Sequence, residues 1–340
     1  MNLPDPFALA PGQRLWRLED PVGDFPFYNG VPKALSGGQW LWLMAAVTAG
    51  YLVLVLPIPW PGGPFGALLP ALLFPVIPLA ALAHVAPGHW KVIFGVVRGR
   101  ELRLMLGIAL LNIVVSMSLG AVVRVLMDVT PNAATAQLGG MDTTGRFAFF
   151  AKTLPQLLGE EVVTVLPFLA VLTMLSNRFG TGRKRATAGA WLLSSLLFGL
   201  IHLPTYDWNL IQCIVIIGTA RMVLTLGWIL TKNLWVSTGA HIINDWLLFG
   251  VGLLGAGLVG AADTHAPALA GTRWQIVSIQ SMDDAQGTVR PPEPARYTST
   301  HETLHTIVIV SPPSATAAAA DPAHRSPAWP AARHASAAGP

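Results

Sequence analysis

An all-α fold, a polytopic membrane bundle of about seven helices with a largely disordered C-terminal tail, is predicted by three features of the 340-residue sequence. Charged residues make up 11% of it, where a soluble domain carries about 25%. Hydrophobic residues make up 53%, and the mean hydropathy is +0.54. The apolar residues fall in blocks of about 20, the length that carries a helix across a hydrocarbon core about 30 Å thick. So few charges cannot coat a soluble molecule of this size, and an integral membrane protein is expected.

In chain order, residues 1–40 are mixed in character and form an expected cytoplasmic N-terminal segment without a cleavable signal peptide, because no apolar stretch lies close to Met1. Apolar segments follow at 41–60, 64–84 and 105–127, the N-terminal spans of a region 41–146. Four more, at 147–175, 188–204, 208–231 and 234–260, make up a region 147–260. After Ala261 the composition turns to Ala, Pro, Ser and Thr, so 261–340 is expected to be an extramembrane, low-complexity tail that buries too little apolar surface to order much of its length.

The loops alternate in charge. Arg14, Arg17 and Lys33 precede the first span, Lys91, Arg98, Arg100 and Arg103 follow the second, Arg178, Arg183, Lys184 and Arg185 follow the fourth, and Lys232 follows the sixth. The intervening connections hold almost no positive charge. By the positive-inside rule the N-terminus is cytoplasmic. The net charge of +4 is thus explained by orientation in the bilayer, and no nucleic-acid partner is expected. Trp40, Trp60, Trp191, Trp208 and Trp235 are expected to anchor at the interface. The single cysteine, Cys213, excludes an internal disulfide framework and a Cys-based zinc or iron–sulfur site.

Ionisable groups inside a span cost at least about 2.5–3.5 kcal/mol each, so each needs a partner, a wet cavity or a chemical role. The fourth span holds Glu160 and Glu161, bracketed by Pro155 and Pro167. Adjacent helical residues point about 100° apart, so the two carboxylates serve different roles. Each proline frees a carbonyl, which in lipid requires water or protein to compensate, and a kinked helix beside a wet cavity follows. The fifth span ends in Phe198 and His202, four residues apart and so on one face; the seventh places His241 and Asp245 on one face by the same spacing. Two neighbouring carboxylates, two histidines and a third acid are the parts of a hydrolytic site. Plainer readings exist for each: an ion pair of the glutamates with Arg221 in the sixth span, hydrogen-bonded packing for either histidine, snorkelling for Arg124 and Lys152. The conjunction on three spans favours a site.

The motifs Glu160-Glu161, Phe198-x-x-x-His202 and His241-x-x-x-Asp245, in that order on successive spans, resemble those of the CPBP family of intramembrane proteases, which includes the type II CAAX prenyl proteases. The resemblance implies that 147–260 is the catalytic core, that Glu160 is the base activating water with help from His202, that His241 and Asp245 stabilise the oxyanion, and that Glu161 orients the site. It implies a peptide or membrane-protein substrate in a lipid environment, and a bacterial plasma (inner) membrane location. The family's first-motif arginine is replaced by Val165, and Arg221 is expected to supply that charge from the sixth span. An ionised Asp245 would repel an oxyanion, so it must be protonated or act by holding His241, with Asn244 as a substitute donor.

The leading expectation is therefore an endopeptidase using a glutamate- and histidine-activated water and no cofactor. A zinc-dependent variant stays open, since Glu and His are plausible zinc ligands, although no His-Glu-x-x-His helix is present. A non-catalytic scaffold or bacteriocin-immunity-type protein on the same frame is the alternative from another class; a proton-relaying transporter has no specific support.

Overall fold

A computed structural model describes residues 13–15, 18–20, 23–63 and 65–263, and four short strand segments beyond them. The chain divides into two compact units, Met1–Gly260 and Ala261–Pro340.

The first unit is helical. Helix α1 spans Gly37–Val55 and opens on a capping box: the Ser36 hydroxyl accepts from the Gln39 amide at 3.2 Å, and the Gln39 side chain accepts from the Ser36 amide at 2.9 Å. It stops before Pro57, as the restricted backbone ahead of a proline requires. Then come α2 (Leu68–Val85), α3 (Gly99–Leu126), α4 (Ala133–Gly139) and α5 (Thr143–Thr173), which continues as a wider π-helical turn over Met174–Arg178. Helix α6 (Arg183–Ile201) leads through a short turn into a π-helical stretch, Gln212–Gly218, continuous with α7 (Thr219–Thr231); α8 (Leu234–Asp263) closes the unit.

The seven long helices match the seven expected segments, and α4 and the π-helical stretches are additions the hydropathy did not indicate. Five stretches, α1, α2, α3, α5 with its π turn, and Gln212–Thr231, are long and apolar enough to cross a membrane. Helix α6 opens on three basic residues; together with α8 it completes the seven. Large apolar side chains such as Leu41 and Val125 face outward, where lipid would solvate them. Helix α5 is central, with 67% of its apolar window buried, and α3 is peripheral, at 22%.

Small residues set the spacings. A Cβ on Gly50 of α1 would lie 2.7 Å from the Phe74 carbonyl oxygen of α2, and one on Gly227 of α7 would lie 2.8 Å from the Ser237 nitrogen of α8. Backbones can approach this closely only where the side chain is a hydrogen.

Described residues of the N-terminal segment pack against the helices. Phe25 and Phe27 are buried in the main core, Phe25 against Phe168 and Trp228. Arg183, at the start of α6, binds Glu19 and Asp24, each at 2.6 Å, and Lys232 stands 3.4 Å from Glu19. The ring of Phe25 lies 5.2 Å from both the Arg183 guanidinium and the Lys232 ammonium. Asp20 takes two bonds from Arg100 of α3, at 2.7 and 2.6 Å. Burial raises the pKa of Glu19, but the bond and charge of Arg183, with Lys232 behind it, outweigh that and hold it below the ordinary carboxylate value. Trp40, expected at the interface, is buried in this same core, whereas Trp208 is 70% exposed.

In the second unit, β1 (Arg273–Gln275) pairs antiparallel with β4 (Arg296–Thr298), and β2 (Ile279–Gln280) with β3 (Thr288–Val289). The rest of the tail expected to be disordered lies outside the described residues.

Candidate active site

Three helices and one partner helix build the site. On α5 the two glutamates diverge as the helical period demands. Glu161 points inward and is 1% exposed; Glu160 is partly open, and its Oε1 accepts from Gln156, one turn earlier, at 3.2 Å. Gln156 is on the same face as Glu160 because they are four residues apart.

Glu161 is the hub. Its Oε1 accepts from Arg221 Nη2 at 2.6 Å and from His241 Nδ1 at 2.8 Å. Arg221, on α7, is fully buried; its Nη1 donates to the Thr164 hydroxyl at 3.1 Å, and that hydroxyl donates to the Glu160 carbonyl at 2.9 Å. Arg221 therefore holds Glu161 from a second helix. Val165, where the family motif has arginine, is packed into the apolar core. A helical side chain leans toward its own N-terminus, so the long Arg221 stem carries its guanidinium along α7 and over the ring of Phe198, 4.4 Å away. The same guanidinium thereby touches both Glu161 and Phe198, near the end of α6.

His241, on the second turn of α8, is fixed by Glu161. Donating from Nδ1 to the carboxylate leaves Nε2 on the opposite side of the ring, 3.7 Å from Glu160 Oε2 and 3.7 Å from Asp245 Oδ1. These separations are too long for direct hydrogen bonds and suit one bridging water or a reacting oxygen. Asp245 Oδ1 also accepts from Asn244 Nδ2 at 2.9 Å. Asn244 thus commits one of its two amide hydrogens to Asp245.

His202 joins more remotely. Its ring stacks on Phe198 with centroids 4.5 Å apart, and its Nδ1 donates to the Phe198 carbonyl at 2.8 Å, which makes Nε2 the unprotonated nitrogen of the neutral ring. Among the described residues it makes no hydrogen bond or ion pair with Glu160 or His241. The structure thus brings Glu160, Glu161, Arg221, His241, Asn244 and Asp245 into one network and links His202 to it through Phe198. Asn112, Gln156 and Thr164 were not singled out from the sequence; a lone amide or hydroxyl within an apolar span was the available sign.

Among the described residues no three His, Cys, Asp or Glu side chains converge as metal ligands. His241 Nδ1 is already committed to Glu161, so Nε2 is the ring nitrogen left to face a ligand.

Residues 144–247, which contain all three motifs, match the family described as Rce1-like, type II CAAX prenyl endopeptidase Rce1-like. The match bears out, over those residues, the resemblance read from the motifs. With the five apolar helices it makes the chain an integral membrane protein. No curated protein and no solved structure matches the chain.

Proposed function

We propose that the chain is a membrane-embedded endopeptidase in which Glu160 takes a proton from a water held against His241 Nε2. The oxygen of that water bonds to the peptide carbonyl carbon, the carbonyl becomes an oxyanion, and the proton on Glu160 passes to the amide nitrogen as the C–N bond breaks. The observation that carries this reading is the gap of 3.7 Å between His241 Nε2 and each of Glu160 Oε2 and Asp245 Oδ1.

With its three carboxylates ionised against one guanidinium the site carries a net −2, so a proton on Nε2 of His241 lowers the excess to −1 in a low-dielectric interior. An imidazolium there donates to the oxyanion. Asp245 is a holder of that imidazolium, and Glu161 with Arg221 fixes its ring. His202 is assigned the second acceptor for the water, on the family resemblance and not on a contact. The chain is placed in a bacterial plasma membrane with its N-terminus cytoplasmic, on the alternation of basic loops.

The test compares membranes containing wild type and Glu160→Gln by proteomics, followed by a fluorogenic peptide built from the first fragment that disappears. Loss of general-base catalysis lowers the rate by about 10²–10⁴-fold, with protein level unchanged, and strong chelation of the purified enzyme leaves the wild-type rate intact. Fragments that persist with Glu160→Gln overturn the reading; a rate abolished by chelation and restored by zinc overturns its metal-free form.

A further inference from the structure

The contacts that end at Asp245 begin outside the motif helices. Asn112 lies on α3, the least buried of the five apolar stretches, yet is itself only 1% exposed. Its Nδ2 donates to Asn244 Oδ1 at 3.0 Å, and Asn244 Nδ2 donates onward to Asp245 Oδ1 at 2.9 Å. Asp245 then stands 3.7 Å from the reactive face of His241. Met105 and Ile108 of α3 pack with Val236 and Ala240 of α8, so the two helices hold the amides together.

The relay has a direction. With Asn244 turned over, its oxygen would face the Asp245 oxygen, an arrangement an ionised carboxylate repels. An asparagine on an apolar helix is expensive in lipid unless paired, and a leucine there would insert more easily. The side-chain hydrogen bond recorded for Asn112 is the one to Asn244.

We propose that Asn112 is a positioning residue for the hydrolysis described above: by donating to Asn244 it turns that amide so that its N–H side supports Asp245 as the acceptor beside His241. The proposal rests on the endopeptidase reading of the site. Without the Asn112 donor, the terminal torsion of Asn244 keeps only the preference that Asp245 imposes, and the orientation about 180° away becomes more populated. That orientation sets oxygen against oxygen and moves Asp245 off His241.

The experiment uses the full chain, purified in detergent. Asn112→Leu is expected to lower kcat about tenfold, the cost of a modest misplacement at a reacting centre, and to leave KM within about twofold and the monomer yield unchanged. Asn244→Leu gives the same loss, and the double variant is no worse than either single one, because both act through one path. A readout independent of cleavage is the side-chain ¹⁵N amide resonance of Asn244, assigned by its disappearance in Asn244→Leu. It shifts in Asn112→Leu and in Asp245→Ala. Losses in kcat that multiply in the double variant, an unchanged kcat in Asn112→Leu, or an amide resonance that Asn112→Leu leaves in place each overturn the proposal. If Asn112→Leu does not accumulate, Asn112→Ala takes its place with the same criteria. A wild-type protein that cleaves nothing defeats the endopeptidase reading, while the amide resonance still decides whether the relay exists.

Discussion

Replacing Arg221 by glutamine tests the part of the site that the sequence alone could least secure. The guanidinium gives Glu161 a bond of 2.6 Å and Thr164 one of 3.1 Å, and covers the ring of Phe198 at 4.4 Å. Both ionic partners are essentially inaccessible, at 0% and 1% exposure. Removing one member of such a pair leaves an uncompensated charge and costs about 3–5 kcal/mol. For a bundle of this size, at about 2–4 °C per kcal/mol, the melting temperature should fall by roughly 6–20 °C. Arg221→Gln combined with Glu161→Gln removes both charges, so more than half of that loss should return. The remainder reflects the contact with Phe198, worth about 0.5–2 kcal/mol. Thermal unfolding of the purified protein in detergent, followed by near-ultraviolet circular dichroism, measures all three. A single variant within about 1 kcal/mol of wild type, or a double variant less stable than the single one, would refute the claim that this pair carries the site.

Two further outcomes follow from contacts elsewhere in the bundle. Glu19 is held below the ordinary carboxylate value of 4.5, so its contribution is fully present above that pH and fades as the medium is acidified through the lower folded value; Glu19→Gln should flatten the acid limb of a stability-versus-pH curve, and a curve parallel to wild type refutes this. Alanine at Gly227 would push its Cβ to 2.8 Å from a backbone nitrogen of α8 and cost about 1–3 kcal/mol, whereas alanine at Gly107 of α3 meets nothing within 4 Å and should stabilise by about 0.5–1 kcal/mol; thermal shifts of the same sign for both count against the packing argument.

The bundle was legible because lipid leaves few options: a run of about 20 apolar residues becomes a helix. The glutamates, histidines and Arg221 stood out because each breaks such a run. What hydropathy could not supply was lateral arrangement. Nothing local to Asn112 says that it faces Asn244, 132 positions later. Phe25 and Phe27 sit in a stretch too short and too mixed to read as core, yet both are buried, because their neighbours Glu19 and Asp24 find Arg183. Trp40 looked like an interfacial anchor by composition, and only packing shows it inside.

The acids of the N-terminal segment and the arginine that secures them are separated by 164 and 159 positions along the chain. At a ribosomal pace of about 5–20 residues per second, Glu19 and Asp24 wait roughly 8–33 s before Arg183 is even made. The segment around Glu19 and Asp24 therefore docks only after α1 to α5 have been made, and its contacts with Trp228 and Lys232 wait for α7 as well.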